Sequence, residues 1–250
     1  MVDGRAPLLF PIVGKLPDTA TFYGEPFPMR QHGFARNKPF SVVGASVSEC
    51  TFALAADDET RRQFPFDFVL KVTSIVNEAV LRPRAIVLNK SMRAMPISFG
   101  FHPAFRWPPP YRGSRCDHEL RFESGESAPI RRLTDGLVDV TASKEIFEGS
   151  TMPRDDGMLV PGALIFDDLK SRAVNFGVQG RPSIEVRFAD MPHLGLWTKP
   201  GAGLLCIEPW QGHAAPLGFA GDFRDKPGGV LIAANASARL ALEICLLGTD

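Results

Sequence analysis

The sequence has no surplus of either charge: Lys and Arg total 28, Asp and Glu total 28, and the formal net charge of the 250 residues is zero. A global basic field for nucleic acid is therefore missing, although a local cationic pocket is not ruled out. Cysteine is sparse and unpaired in pattern. Cys50, Cys116, Cys206 and Cys245 form no CxxC unit and join no His cluster at zinc spacing. Cys206 and Cys245 lie inside apolar runs, where a reduced Cys acts as a small core residue. No apolar run is long enough to span a bilayer. The start carries Asp3, and Pro11 breaks its short apolar stretch, which does not suit a signal peptide. The expected location is the cytoplasm, and the sequons at Asn89 and Asn235 are then chance matches.

The common nucleotide and hydrolase motifs are also missing. GxGxxG, the Walker P-loop, the GxSxG nucleophile elbow and HExxH each need a particular turn or helix, and none is present. This lowers the standing of dinucleotide chemistry, phosphoryl transfer, serine hydrolysis and zinc hydrolysis. Tyrosine is limited to Tyr23 and Tyr111. A sandwich lyase or hydrolase that relies on a Tyr base would have little to choose from.

What the chain does contain is a period of two. Residues 183–188 and 239–244 alternate apolar and charged side chains, and 67–72, 85–88 and 119–122 are shorter runs of the same kind. Gly (23) and Pro (22) interrupt them at short intervals, which suits tight turns rather than long helices. The best helical stretch is 57–62, and 106–113 reads as a loop. With no linker, repeat or charge block, residues 1–250 read as one β-rich domain.

Three polar residues stand in apolar company. Glu208 ends an apolar strand just before Pro209 and Trp210. Read alone, it fits either a solvated strand end or a base at the mouth of a pocket. His102 lies among Phe99, Phe101 and Phe105, and Pro103 forces an extended backbone on it. That suits a satisfied core His or a general acid titrating near neutrality. His32 precedes Gly33, with Gln31 before it and Arg36 four residues on; a surface loop is the plainer reading. His213 follows the Glu208 motif and reads as structural or peripheral.

Taken in order, the segments LLFPIVGK (8–15), QHGFAR (31–36), MPISFGFHPAF (95–105), LGLWTKP (194–200), CIEPWQG (206–212) and GDFRDKPG (221–228) resemble the aldose 1-epimerase family. The resemblance is strongest to its bacterial LacX-like branch. It implies an all-β fold, the galactose mutarotase-like β-supersandwich, with some N-terminal strands lacking and sheet edges left unpaired. It implies Glu208 as base, His102 as acid and His32 as a sugar-binding assistant. The reaction would interconvert the α and β anomers of a hexose or hexose phosphate, with no cofactor or metal. The partners would be a small sugar or sugar phosphate, with neither nucleic acid nor membrane, and the protein a monomer or homodimer.

Further substrate contacts are expected from Gln31 and Arg36, from Lys15 and Lys199 in matched segments, and from Trp197 and Trp210 as apolar platforms, with Trp107 a weaker choice. Catalytic relatives place an additional Asp near the sugar, for which Asp167 or Asp168 is the expected equivalent. Relatives carry an acidic pair where this chain has Ala215 and Leu217. That departure favours the alternative, a non-catalytic carbohydrate-binding or sensing module on the same fold.

Overall fold

The computed structural model describes residues 6–18, 20–27, 29–110, 113–140, 146–152 and 156–248; Tyr111 lies outside them. The alternating runs are strands, and most are longer than the pattern suggested. Residues 67–72 begin the strand Phe68–Asn77 and 85–88 close the strand Val80–Asn89. The two pair antiparallel over their whole length, from Phe68 opposite Asn89 to Asn77 opposite Val80. The run 183–188 is the strand Ser183–Arg187. The run 239–244 is split between Ser237–Ala241 and Glu243–Leu247, because the Leu242 amide leaves the ladder and donates to the Pro83 carbonyl at 3.0 Å.

These strands build two antiparallel sheets. The larger runs from the edge strand Ser41–Ala45 through Glu49–Ala55, Phe68–Asn77 and Val80–Asn89 to Ser237–Ala241 and Glu243–Leu247. It continues through Ser183–Arg187 and Ala173–Gly177 to the first part of Glu119–Thr134. The smaller contains Leu8–Leu9, Phe99–Phe101, Leu204–Gln211, His193–Trp197, Leu164–Phe166 and the far part of Glu119–Thr134. The 16-residue strand Glu119–Thr134 thus belongs to both sheets, with a register shift between Arg121 and Glu126. The result is the all-β sandwich that the alternation requires. One large apolar cluster takes Leu70 and Val87 from the first sheet and Phe166, Leu194 and Ile207 from the second. At the Ser41–Ala45 edge every residue is exposed, with Val42 62% accessible.

The helical expectation holds at one place, Asp58–Gln63. Asp57 caps it by accepting from the Thr60 amide at 2.6 Å, while Thr60 Oγ1 accepts from the Asp57 amide at 2.8 Å. No helix among the described residues is long and apolar enough to cross a membrane. All four cysteines are free, with Cys206 and Cys245 buried as their neighbours suggested.

Candidate active site

Strand register explains how Glu208 and His102 meet. Leu204–Gln211 pairs with two short strands on one side, Phe99–Phe101 and Ala104–Arg106. Gly100 stands opposite Trp210 and Ala104 opposite Cys206, so the same register puts position 102 opposite Glu208. Pro103 cannot donate to the ladder, and its carbonyl instead accepts from the Ile207 amide at 3.3 Å. His102 is held at that interruption. Its Nε2 lies 3.3 Å from Glu208 Oε1.

Alternation along Leu204–Gln211 sends Leu205 and Ile207 to the main core and Cys206, Glu208 and Trp210 to the opposite face. On its other side Gly195 stands opposite Glu208, with Ile165 and then Arg131 beyond it in the same row. Gly100 and Gly195 flank the Trp210 indole from the two neighbouring strands. A β-carbon on either would overlap the ring, so both positions must be Gly for Trp210 to lie flat beside Glu208. Nothing in the sequence pattern distinguishes these two glycines; only the cross-strand register reveals them.

The third imidazole comes from a separate segment. The carbonyl of Phe10 accepts from the amides of Phe34 and Ala35, at 3.0 and 3.1 Å, which lays 33–35 along the first strand. His32 adopts φ 66°. Its amide donates to the Gly14 carbonyl at 2.8 Å, and its Nδ1 accepts from the Gly14 amide at 3.1 Å. That bond leaves the ring proton on Nε2, so the Gln31 side-chain amide 3.3 Å away can pair with it only by turning its oxygen toward the ring. The His32 and His102 rings are 6.3 Å apart.

These groups line a cavity of about 460 Å³, whose walls include Gln31, Arg36, Trp197 and Trp210. The volume suits a small ligand such as a single sugar ring. A larger cavity of about 790 Å³ lies behind the same segment, against Gly33 and Phe34. Its charged lining includes Lys38 and Glu59, which bridge each other at 2.6 Å, and among the described residues it contains no carboxylate–imidazole pair. The smaller cavity is the one that holds the carboxylate–imidazole pair.

Burial sets the protonation. Glu208 is 3% exposed, and desolvation pushes its carboxyl well above the usual range, opposed by the Trp210 indole. Trp210 Nε1 and His102 Nδ1 are nevertheless buried without a well-formed hydrogen bond. Desolvation lowers His102 to about 4, its own backbone opposing and Arg36 adding to the fall. It also lowers His32 to about 3, with His102 and Arg36 contributing. Cys206 is pushed up to about 12 by burial and then by Glu208, so it is a neutral thiol. The favoured state is one proton on the Glu208–His102 pair and a neutral His32.

The remaining expected contacts lie elsewhere. Asp167 is gripped by Arg131 Nε through both oxygens, at 3.2 and 3.0 Å, and Asp168 is exposed. Lys15 Nζ donates to the Asp135 carbonyl at 3.2 Å, and Lys199 is exposed. None of these four lines the cavity. Trp107 donates to the Arg115 carbonyl at 3.0 Å and is covered by that guanidinium. Tyr23 donates to the Ala94 carbonyl at 2.5 Å. Ala214 lines the cavity, and the Ala215 segment is pinned by backbone bonds to Lys15 and Val138, so its position does not depend on acidic side chains. His213 is buried, its ring 5.1 Å from that of His193 and its carbonyl accepting from Lys226 Nζ at 2.5 Å.

An antiparallel β-sandwich with a carboxylate and an imidazole facing a cleft walled by tryptophan defines a galactose mutarotase-like protein. The chain belongs to the aldose 1-epimerase family, whose model matches residues 9–215. Among known proteins it is 30% identical over 239 residues to the chromosomal protein LacX of Lactococcus lactis subsp. lactis, covering 90% of this chain and 79% of that protein. Among solved structures it superposes on a galactose mutarotase related enzyme from Lactobacillus acidophilus with a TM-score of 0.88 at 27% identity, covering 98% of this chain and 83% of that one. A galactose mutarotase-like protein from Lactobacillus casei gives a TM-score of 0.83 at 29% identity, with 96% and 84% covered.

Proposed function

We propose that the protein is a cofactor-independent mutarotase that interconverts the α and β anomers of a hexose or hexose phosphate, with Glu208 and His102 as its proton-transfer pair. The observation that carries this reading is the 3.3 Å contact between Glu208 Oε1 and His102 Nε2 at the cavity wall. Ring opening needs a proton removed from the anomeric hydroxyl and one delivered to the ring oxygen as the C1–O5 bond breaks and C1=O1 forms. Rotation about C1–C2 then presents the other face of the aldehyde. Attack by the O5 hydroxyl closes the ring with the transfers reversed. One proton enters and one leaves in each direction, so a pair holding a single proton suffices.

In the state that opens the ring, the shared proton sits on His102. Glu208 then accepts from the anomeric hydroxyl while His102 donates to the ring oxygen. Moving that proton across the pair leaves the net charge of the cavity unchanged. His32 Nε2–H, Gln31 and the unpartnered Trp210 Nε1–H are donors for sugar oxygens, and the indoles of Trp197 and Trp210 are faces for the ring. Arg36 is exposed at the rim and makes no ion pair among the described residues, which suits an anionic substituent such as a 6-phosphate. The second reading, sugar binding without turnover, is favoured by Asp167, which is tied to Arg131 and leaves Glu208 as the one carboxylate lining the cavity among the described residues.

NMR exchange spectroscopy of anomer interconversion, run over hexoses and their 6-phosphates, decides between the two. Catalysed exchange is expected in the wild type. It should be nearly abolished in Glu208→Gln and reduced by a factor on the order of 10²–10⁴ in His102→Asn, with sugar affinity retained. Arg36→Ala should weaken handling of the phosphate more than of the neutral sugar. Binding without exchange in the wild type would establish the second reading, and wild-type exchange in Glu208→Gln would remove that residue from the mechanism.

A further inference from the structure

Cys206 takes no part in those proton transfers and is fully buried, yet it shares a strand face with Glu208, two residues away and opposite Ala104 on the neighbouring strand. Its Sγ, a Glu208 oxygen and a His102 ring nitrogen all lie within 4.8 Å of one another. The geometry points to a site for a soft divalent cation formed by Cys206, Glu208 and His102, with zinc its best-matched occupant and loss of the sugar reaction its consequence.

The donor set is the first reason. Zinc takes thiolate, imidazole and carboxylate together at roughly 2.0–2.3 Å, which places ligand atoms roughly 3.3–3.8 Å apart in a tetrahedron. The His102–Glu208 edge already measures 3.3 Å. The sulfur needs only a modest shift to complete a triangular face. Glu208 and His102 line the cavity, so a water from it would take the fourth position.

Charge is the second. The cavity disfavours an isolated anion at either Cys206 or Glu208, because each is buried. A dication held by one thiolate and one carboxylate is neutral, and His102 completes the set without adding charge. Binding is balanced by releasing two protons to solvent, one from the thiol and the one shared by Glu208 and His102. The metal therefore removes the proton that ring opening needs. This inhibitory consequence rests on the mutarotase reading, whereas the binding site itself does not.

The experiment uses the whole chain. Equilibrium dialysis with zinc chloride measures stoichiometry, and Co²⁺ reports the sulfur ligand through thiolate-to-cobalt charge-transfer absorption. Anomer exchange is measured with zinc and again after EDTA. One zinc per chain, a charge-transfer band and EDTA-reversible inhibition are expected. Cys206→Ala should keep metal-free exchange at the wild-type level, lose the band and need at least about tenfold more zinc for inhibition, equivalent to about 1.4 kcal/mol. Cys206→Ser, which preserves volume, repeats the test if the alanine variant is poorly folded. Absence of the band in wild type, or zinc binding unchanged in both variants, overturns the site. Zinc bound through Cys206 in a protein with no exchange activity would support the site while sinking the mutarotase reading. Exchange unaffected by bound zinc would overturn the inhibitory consequence.

Discussion

His102 and Glu208 share one proton in a place that disfavours charge on either. In the proposed mechanism, the working state of the pair is lost on the acid side only by taking up a second proton. Burial holds His102 down to about 4, so that step falls well below the 6.5 of a solvated imidazole. On the alkaline side the pair must lose its proton, and burial pushes the Glu208 carboxyl upward, which delays the loss. The pair titrates as a unit. The expected profile of kcat/KM for anomer exchange is level through neutrality and falls only as pH approaches about 4. Measurement across that range, corrected for uncatalysed exchange, checks this; a midpoint near 6.5 would mean that His102 is solvated and uncoupled from Glu208. Both residues stood out in the sequence as a carboxylate and an imidazole among Phe, Trp and Ile, but that context alone left a solvated or core reading open for each, and the family resemblance is what paired them. Asp167 was not legible. No linear pattern shows that Arg131, 36 residues earlier, claims its carboxylate.

At the scale of elements, the site depends on two interrupted strands and an aromatic side chain that needs bare neighbours. Trp210 is positioned by the absence of β-carbons at Gly100 and Gly195. In Gly195→Ala the new methyl overlaps the indole, which must tilt away from Glu208 or strain the strand. Overpacking of this kind costs about 1–3 kcal/mol. The expected result is a lower thermal midpoint and impaired exchange. Gly203→Ala is the control, because its β-carbon would meet only the Trp107 carbonyl at 3.8 Å. Full exchange in Gly195→Ala would show that Trp210 placement is irrelevant to turnover. Strand existence was readable from the period of two, but strand length was not. Only 119–122 signals the strand Glu119–Thr134, because Gly125, Pro129 and the polar stretch between them disguise a ladder that crosses from one sheet to the other. The pairing of 99–101 and 104–106 with one strand is likewise a long-range fact, fixed by neighbours about a hundred residues away.

At the scale of the whole molecule, burial of basic groups couples stability to pH. His32 and His193 are each lowered to about 3, His102 to about 4, and His213 is lowered as well, with desolvation the largest cause in every case. A base whose folded value is depressed contributes stability that is complete above its unfolded value of 6.5 and is lost as pH falls toward the folded value, because the unfolded chain binds the extra proton. Glu208 works in the opposite sense: its raised folded value favours the native state at low pH and loses that contribution as pH rises above 4.5. Four groups oppose one between 4.5 and 6.5, so the thermal midpoint should fall steadily on acidification through that window, before most carboxylates protonate. Lys226 extends the argument to alkali. It is 3% exposed, donates to the His213 and Pro227 carbonyls, and burial lowers it to about 7 from 10.5. Between those two values the unfolded chain again holds more protons, and stability should rise with pH as the buried ammonium is neutralised. Lys226→Met removes this titration while keeping an apolar stem, so its midpoint should be flatter from pH 7.5 to 9.5, an interval inside the roughly 7–10.5 window. Thermal melts of both proteins across pH 4.5–9.5, roughly the span of these shifts, read both slopes. A wild-type midpoint unchanged between 4.5 and 6.5 would refute the coupling to the buried imidazoles, and identical alkaline slopes in the two proteins would refute the assignment to Lys226.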